Sequence, residues 1–189
     1  MLNKVAVTLL ASGLLLAAGC SQKPTPTVNA SMTQVMSPQA QTIWDITSRA
    51  FNAKGDGLDG SKLSDDDWKK LGKAGALMRD RARLLAKAKH VTAAGPHETI
   101  LGAFASRPGF RKGTWDAASP KQVQALIDAN PAHFAERARN LATVGDTLEK
   151  AARRKDVRIL YQVSSGLDED CDSCHQPFWG TDEPPPFPR

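Results

Sequence analysis

Along four stretches of this 189-residue chain apolar residues recur at steps of three and four, and nowhere does strict apolar–polar alternation persist. Steps of three and four collect side chains on one face of an α-helix, whereas a half-buried strand needs a period of two. The first stripe is Met36, Ala40, Ile43, Thr47 and Ala50, with Ser37-Pro38 as a plausible N-cap and N1 pair. A second runs through Trp68, Leu71, Gly75, Met78, Ala82 and Leu85, behind a Ser64/Asp67 capping pair. After Pro131 a third takes in Phe134, Ala138, Leu141, Gly145, Leu148 and Ala152, and a fourth Leu160, Val163, Leu167, Cys171 and Cys174. Four such helices predict an all-α protein, an antiparallel four-helix bundle with no sheet. A short extra helix is expected between Ser119-Pro120 and Asn130-Pro131. The Gly- and Pro-rich stretch 93–119 is a long loop of unassigned role.

The fourth stripe ends in Cys171-Asp172-Ser173-Cys174-His175. C-x-x-C-H is the attachment pattern of c-type haem. Thiols three residues apart lie about one helical turn apart and can form thioethers with two vinyl groups, while the next residue, His175, is held where it can ligate iron. A zinc site would need a second ligand pair, and Cys20 is the only other cysteine. A thioredoxin-like dithiol opens a helix after a strand; this one ends a helical pattern. Because the cysteines continue the apolar stripe, a porphyrin held by them would be aimed into the core.

The beginning of the chain predicts export. Met1 to Lys4 is a short charged region, Val5 to Ala18 an apolar run too short to span a bilayer, and Ala17-Ala18-Gly19-Cys20 places small residues before a cysteine. This resembles a bacterial lipobox, which implies cleavage before Cys20, its acylation, and a domain lipid-anchored in the periplasm. With Cys20 acylated and Cys171 and Cys174 in thioethers, no free thiol would remain in an oxidising compartment. Residues 20–30 are expected to form a flexible tether, 31–180 the helical domain, and 181–189 an extended Pro-rich tail.

Met32-x-x-Val35-Met36-Ser37-Pro38-x-Ala40-x-x-Ile43-Trp44-Asp45, together with Cys171-x-x-Cys174-His175-x-x-Phe178-Trp179, is similar to the class II c-type cytochromes, the cytochrome c′ and c556 group. The resemblance covers nearly the whole mature chain, with the haem motif as its specific part. It implies one covalent haem c on Cys171 and Cys174, with His175 as proximal ligand. In such a bundle the first and last helices run antiparallel, so topology carries Met32 and Met36 toward the haem. Either could be the distal ligand: similarity favours Met32, continuity with the stripe favours Met36.

The rest is restraint. The formal charge of +5 falls to +4 without Lys4, and Lys/Arg interleave with Asp/Glu, which indicates solvated faces and not a nucleic-acid footprint. His90, His97 and His133 are expected at the surface, Trp44 and Trp179 packed on the bundle, and Asp65-Asp66-Asp67 in a first helical turn with no metal role. No nucleophile–base set, phosphate loop or paired catalytic carboxylates appear, so the expectation is not an enzyme. It is a one-electron carrier between periplasmic or membrane redox proteins, with room for a homodimer. The alternative is a five-coordinate haem module binding nitric oxide or carbon monoxide.

Overall fold

A computed structural model describes residues 26–101 and 117–179. The segment read as an export signal, Cys20, most of the long loop and the Pro-rich tail lie outside the described residues. The protein is all-α. Its elements are α1 (Val28–Ser31), a π-helical turn (Met32–Met36), α2 (Ser37–Ser48), a 3₁₀ turn (Gly60–Lys62), α3 (Asp65–Lys87), α4 (Pro120–Ala129), α5 (Pro131–Arg154) and α6 (Val157–Trp179). Among the described residues no helix is long and apolar enough to cross a membrane.

The four expected stripes are the buried faces of α2, α3, α5 and α6. Every residue named for the first three stripes is buried, and in α6 Leu160 and Leu167 are fully so. The caps behave as their chemistry requires. Ser64 accepts from the Asp67 N–H, the Asp67 carboxylate accepts from the Ser64 N–H, and Asp67 also pairs with Arg49. Asn130 caps α5 through the His133 N–H, with Pro131 behind it at the first helical position. Lys155, in the left-handed conformation, ends α5; the next residue, Asp156, caps α6 through the Ile159 N–H, so the chain turns back within two residues.

The tightest packing is between α3 and α5. A Cβ added to Gly75 would lie 2.7 Å from the Glu149 nitrogen and the Gly145 carbonyl oxygen. One added to Gly145 would lie 2.6 Å from the Arg79 nitrogen. Only hydrogen fits at either position, and pairing Gly75 with Glu149 and Arg79 with Gly145 makes the two helices antiparallel. Charged side chains line the same seam: Arg79 pairs with Glu149, and Asp146 lies between Lys150 (2.5 Å), Arg79 and Arg83 (each 3.9 Å).

Two expectations need correction. The first helix starts at Val28, not at Ser37-Pro38, and residues 28–30 belong to it and not to a tether. A proline deletes only one helical donor. Upstream of it, Thr27 caps the Ala30 N–H, and the Val28 and Asn29 N–H groups bond to the Thr92 and Ala93 carbonyls, so tertiary contacts hold the extra turns. The Met32–Met36 turn widens to let the chain pass into Pro38, the Ser37 N–H reaching the Met32 carbonyl. Second, extended pairing is not wholly absent. Ile100–Leu101 and Ala117–Ala118 form a two-residue antiparallel ladder at the base of the long loop, too short to leave a period in the sequence. The short extra helix is present as α4, which packs on α6 and α5.

The glycine crossing makes a test with opposite signs. Gly75→Ala or Gly145→Ala should each lower unfolding free energy by about 1–3 kcal/mol, because backbone must move to admit the methyl group. Gly166→Ala, inside α6 with nothing within 4 Å of the new Cβ, should raise it by about 0.5–1 kcal/mol. Urea unfolding followed by circular dichroism reads all three; a Gly75→Ala chain as stable as its parent would show that the helices do not touch there.

Candidate functional site

Buried apolar residues form two clusters. The larger runs through α2, α3, α5 and α6, from Met36 to Leu167. The smaller gathers Leu85, Ala93, Ile100, Val123, Ile127, Phe134, Ala138 and Phe178. The cysteine motif sits where they meet: Cys171 packs against the larger cluster and Cys174, one turn on, against the smaller. Both are free thiols and half-buried. His175 stands edge-on to Trp179, ring centroids 4.8 Å apart at 87°, and Phe178 fills the smaller core between Phe134 (5.3 Å) and His133 (5.5 Å).

An apolar cavity of about 40 Å³ opens beside this motif, and its walls come from the whole length of the chain. Cys174, His175, Phe178 and Trp179 form the α6 side. Met32 faces them, with Val28 and Asn29 beside it, and Ala93, Ile100, Val123 and Ile127 close the remainder. Met32 touches both clusters. Met36 is 5% exposed, packs only in the larger core, and does not line the cavity. Of the two methionines, Met32 shares the cavity with Cys174 and His175 and Met36 does not.

The electrostatics favour neutral groups. Burial pushes the Cys171 thiol up to about 12, reinforced by Asp168, Asp170 and Asp172. Burial likewise pushes Cys174 up to about 11, with the Arg137 guanidinium pulling the other way. Such thiols stay protonated at neutral pH, the reverse of a redox-active dithiol or a preformed thiolate metal site. Burial also holds His175 below the usual histidine range, opposed by Asp172, which leaves a ring-nitrogen lone pair free to coordinate near pH 7. Two protonated thiols one turn apart, a neutral imidazole and a facing thioether can anchor a ligand covalently and offer nitrogen and sulfur donors from two sides.

Elsewhere the expected placements divide. His90 and His97 are exposed. His133 is not: half-buried, it accepts a 2.9 Å hydrogen bond from Arg137 Nε and tilts against Phe178, because the first turn of α5 faces the end of α6. Asp65 and Asp66 pair with Lys155 and Lys70, and among the described residues no group of three His, Cys, Asp or Glu side chains is placed to hold a metal ion. Sequence reasoning missed Val28, Asn29, Ala93 and Ile100, which sit in a presumed tether and loop. Val123 and Ile127, one turn apart on α4, carried a usable signal. Cys20 lies outside the described residues. No known protein family, curated protein or solved structure matches this chain.

The raised thiol values predict slow alkylation. In chain expressed from residue 21, so that Cys171 and Cys174 are its only cysteines and both thiols remain free, iodoacetamide at pH 8 should modify the folded protein about 100-fold or more slowly than the urea-unfolded protein. The folded rate should climb with pH until about 11–12, where the thiols ionise. Equal rates at pH 8 would place the cysteines in solvent.

Proposed function

We propose that this chain is a c-type cytochrome of the class II kind: an antiparallel four-helix bundle, lipid-anchored in the periplasm, that passes single electrons between redox proteins. The observation that carries the reading is the convergence of Cys174, His175 and Met32, from opposite ends of the sequence, on one apolar cavity. The donor set fits haem c. Cys171 and Cys174 would hold it covalently, His175 would supply the proximal nitrogen, and Met32 the distal sulfur. When bound, the group supplies a one-electron ferric/ferrous couple. The chain's own part is to fix position and exclude water: Phe134, Phe178 and Trp179 give the site apolar walls. A cavity of about 40 Å³ is far smaller than a porphyrin, so binding one would displace some of this lining.

Two measurements test the site. Cys171→Ser or Cys174→Ser should sharply reduce haem staining on a denaturing gel, each removing one thioether; full staining in both variants overturns the assignment. Met32→Ala should turn a low-spin ferric haem high-spin and lower its potential, because losing a soft sulfur donor destabilises the ferrous state. Met36→Ala should leave the spectrum alone while costing about 2–5 kcal/mol of stability as a buried truncation. A wild type already high-spin would instead favour the five-coordinate gas-binding module.

The anchor is tested apart from the haem. Cys20→Ala should release the protein from membranes with haem attachment intact, since acyl chains at this residue would be its hold on the bilayer. Retention of the variant through a high-salt wash would assign the anchor to another segment.

A further inference from the structure

We propose that Glu98 is the latch of a cap that carries Met32 to the Cys174–His175 cavity, a positioning residue for the distal side of the site; this rests on the functional reading above. The latch is visible as hydrogen bonding. One carboxylate oxygen, Glu98 Oε2, accepts from the Gly95 N–H (2.9 Å), Asn29 Nδ2 (3.1 Å) and Thr27 Oγ1 (3.2 Å). Two of those donors sit in the N-terminal segment and one in the loop after α3, so a single acceptor ties together pieces some seventy residues apart in sequence. Backbone bonds run beside it, from Val28 N–H to Thr92 and Asn29 N–H to Ala93, each 2.9 Å. Gln124 extends the unit to α4, its Oε1 accepting from the Ala93 N–H and its Nε2 donating to the Val91 carbonyl.

The turn that presents the carboxylate is itself constrained. His97 adopts φ 69°, a left-handed conformation that a non-glycine residue occupies at a cost, and the Glu98 N–H bonds back to the Gly95 carbonyl. The Gly95 N–H, followed by Asn29 and Thr27, holds the carboxyl below its usual range, so the acceptor is ionised at neutral pH.

Position makes this a device and not merely a tied loop. Val28, Asn29, Ala93, Val123 and Ile127, on the segments the latch joins, all line the cavity. Met32 stands on the same continuous helix as Val28 and Asn29. The opposite wall is anchored in α5 and α6, which the glycine crossing and the two-residue link hold in place. On this proposal the side held by loop hydrogen bonds is the one that yields to a large flat ligand, and Met32 moves with it. Re-forming the Glu98 bonds returns the thioether to the site.

The test uses the full-length exported protein and its Glu98→Ala and Glu98→Gln variants. In Glu98→Ala, hydrogen exchange over residues 27–32 should quicken about tenfold or more, while peptides from α3 and α5 keep their protection. The ferric spectrum should gain a high-spin fraction, and the Met32 methyl resonance, assigned with Met32→Ala, should move toward its position in the urea-unfolded protein. Glu98→Gln retains an acceptor oxygen and should restore part of each effect. An unmoved Met32 resonance with an unchanged spin state overturns the proposal, as does exchange that quickens equally in α3 and α5. A preparation without covalent haem overturns the functional reading alone, and the Met32 resonance then still decides the role of Glu98.

Discussion

Two hydrogen atoms set the geometry of this fold. Where α3 crosses α5, Gly75 and Gly145 let the helices approach until each backbone touches the other, and any larger side chain would strike main-chain atoms at about 2.7 Å. Close approach brings two long runs of apolar side chains into contact and brings Arg79, Asp146 and Glu149 within reach across the seam. The partly exposed ion pairs add modestly at best; most of the stabilisation comes from burial along the apolar faces. With α3 and α5 fixed and α6 returning from α5 after two residues, the end of α6 has one available position, against the first turns of α5 and the N-terminal helix.

The site exploits a division in the core. The larger cluster is sealed by α2, α3, α5 and α6. The smaller is finished by contributions from α4, the loop after α3 and the N-terminal segment, elements that hold few buried residues of their own. The cysteine motif spans the boundary, one thiol on each side. A group anchored there is fixed at one edge to rigid helix and faces, at the other, a wall assembled from weakly anchored parts.

The sequence was informative where one helix face decides burial. The stripes of α2, α3, α5 and α6 are legible because each is one continuous buried face, and Ser64, Asn130 and Pro131 mark helix starts through local hydrogen-bonding rules. It was less informative where long-range pairing decides. Residues 28–31 follow a Pro-containing stretch and look like a linker; they are helical because carbonyls from residues 92 and 93 take their N–H groups. Glu98 and Gln124 had no signature at all, since a carboxylate or amide joining two distant segments has no period. His133 looked like a surface residue because its partner, Phe178, lies on another helix. Met32 and Met36 could not be told apart by spacing, as an ordinary helix would place both on nearly one face; the wide turn between them separates their surroundings.

That wide turn has a consequence for descent. A π-helical turn holds one residue more than an α-helical one, so everything before it is rotated by about 100° against the stripe that follows. Removing a single codon between Met32 and Met36 would leave composition, hydropathy and the downstream core untouched, yet turn Val28, Asn29 and Met32 away from the cysteine motif. In a lineage of such chains the chemistry opposite His175 can change through the length of one turn, with no substitution at any residue that touches the site.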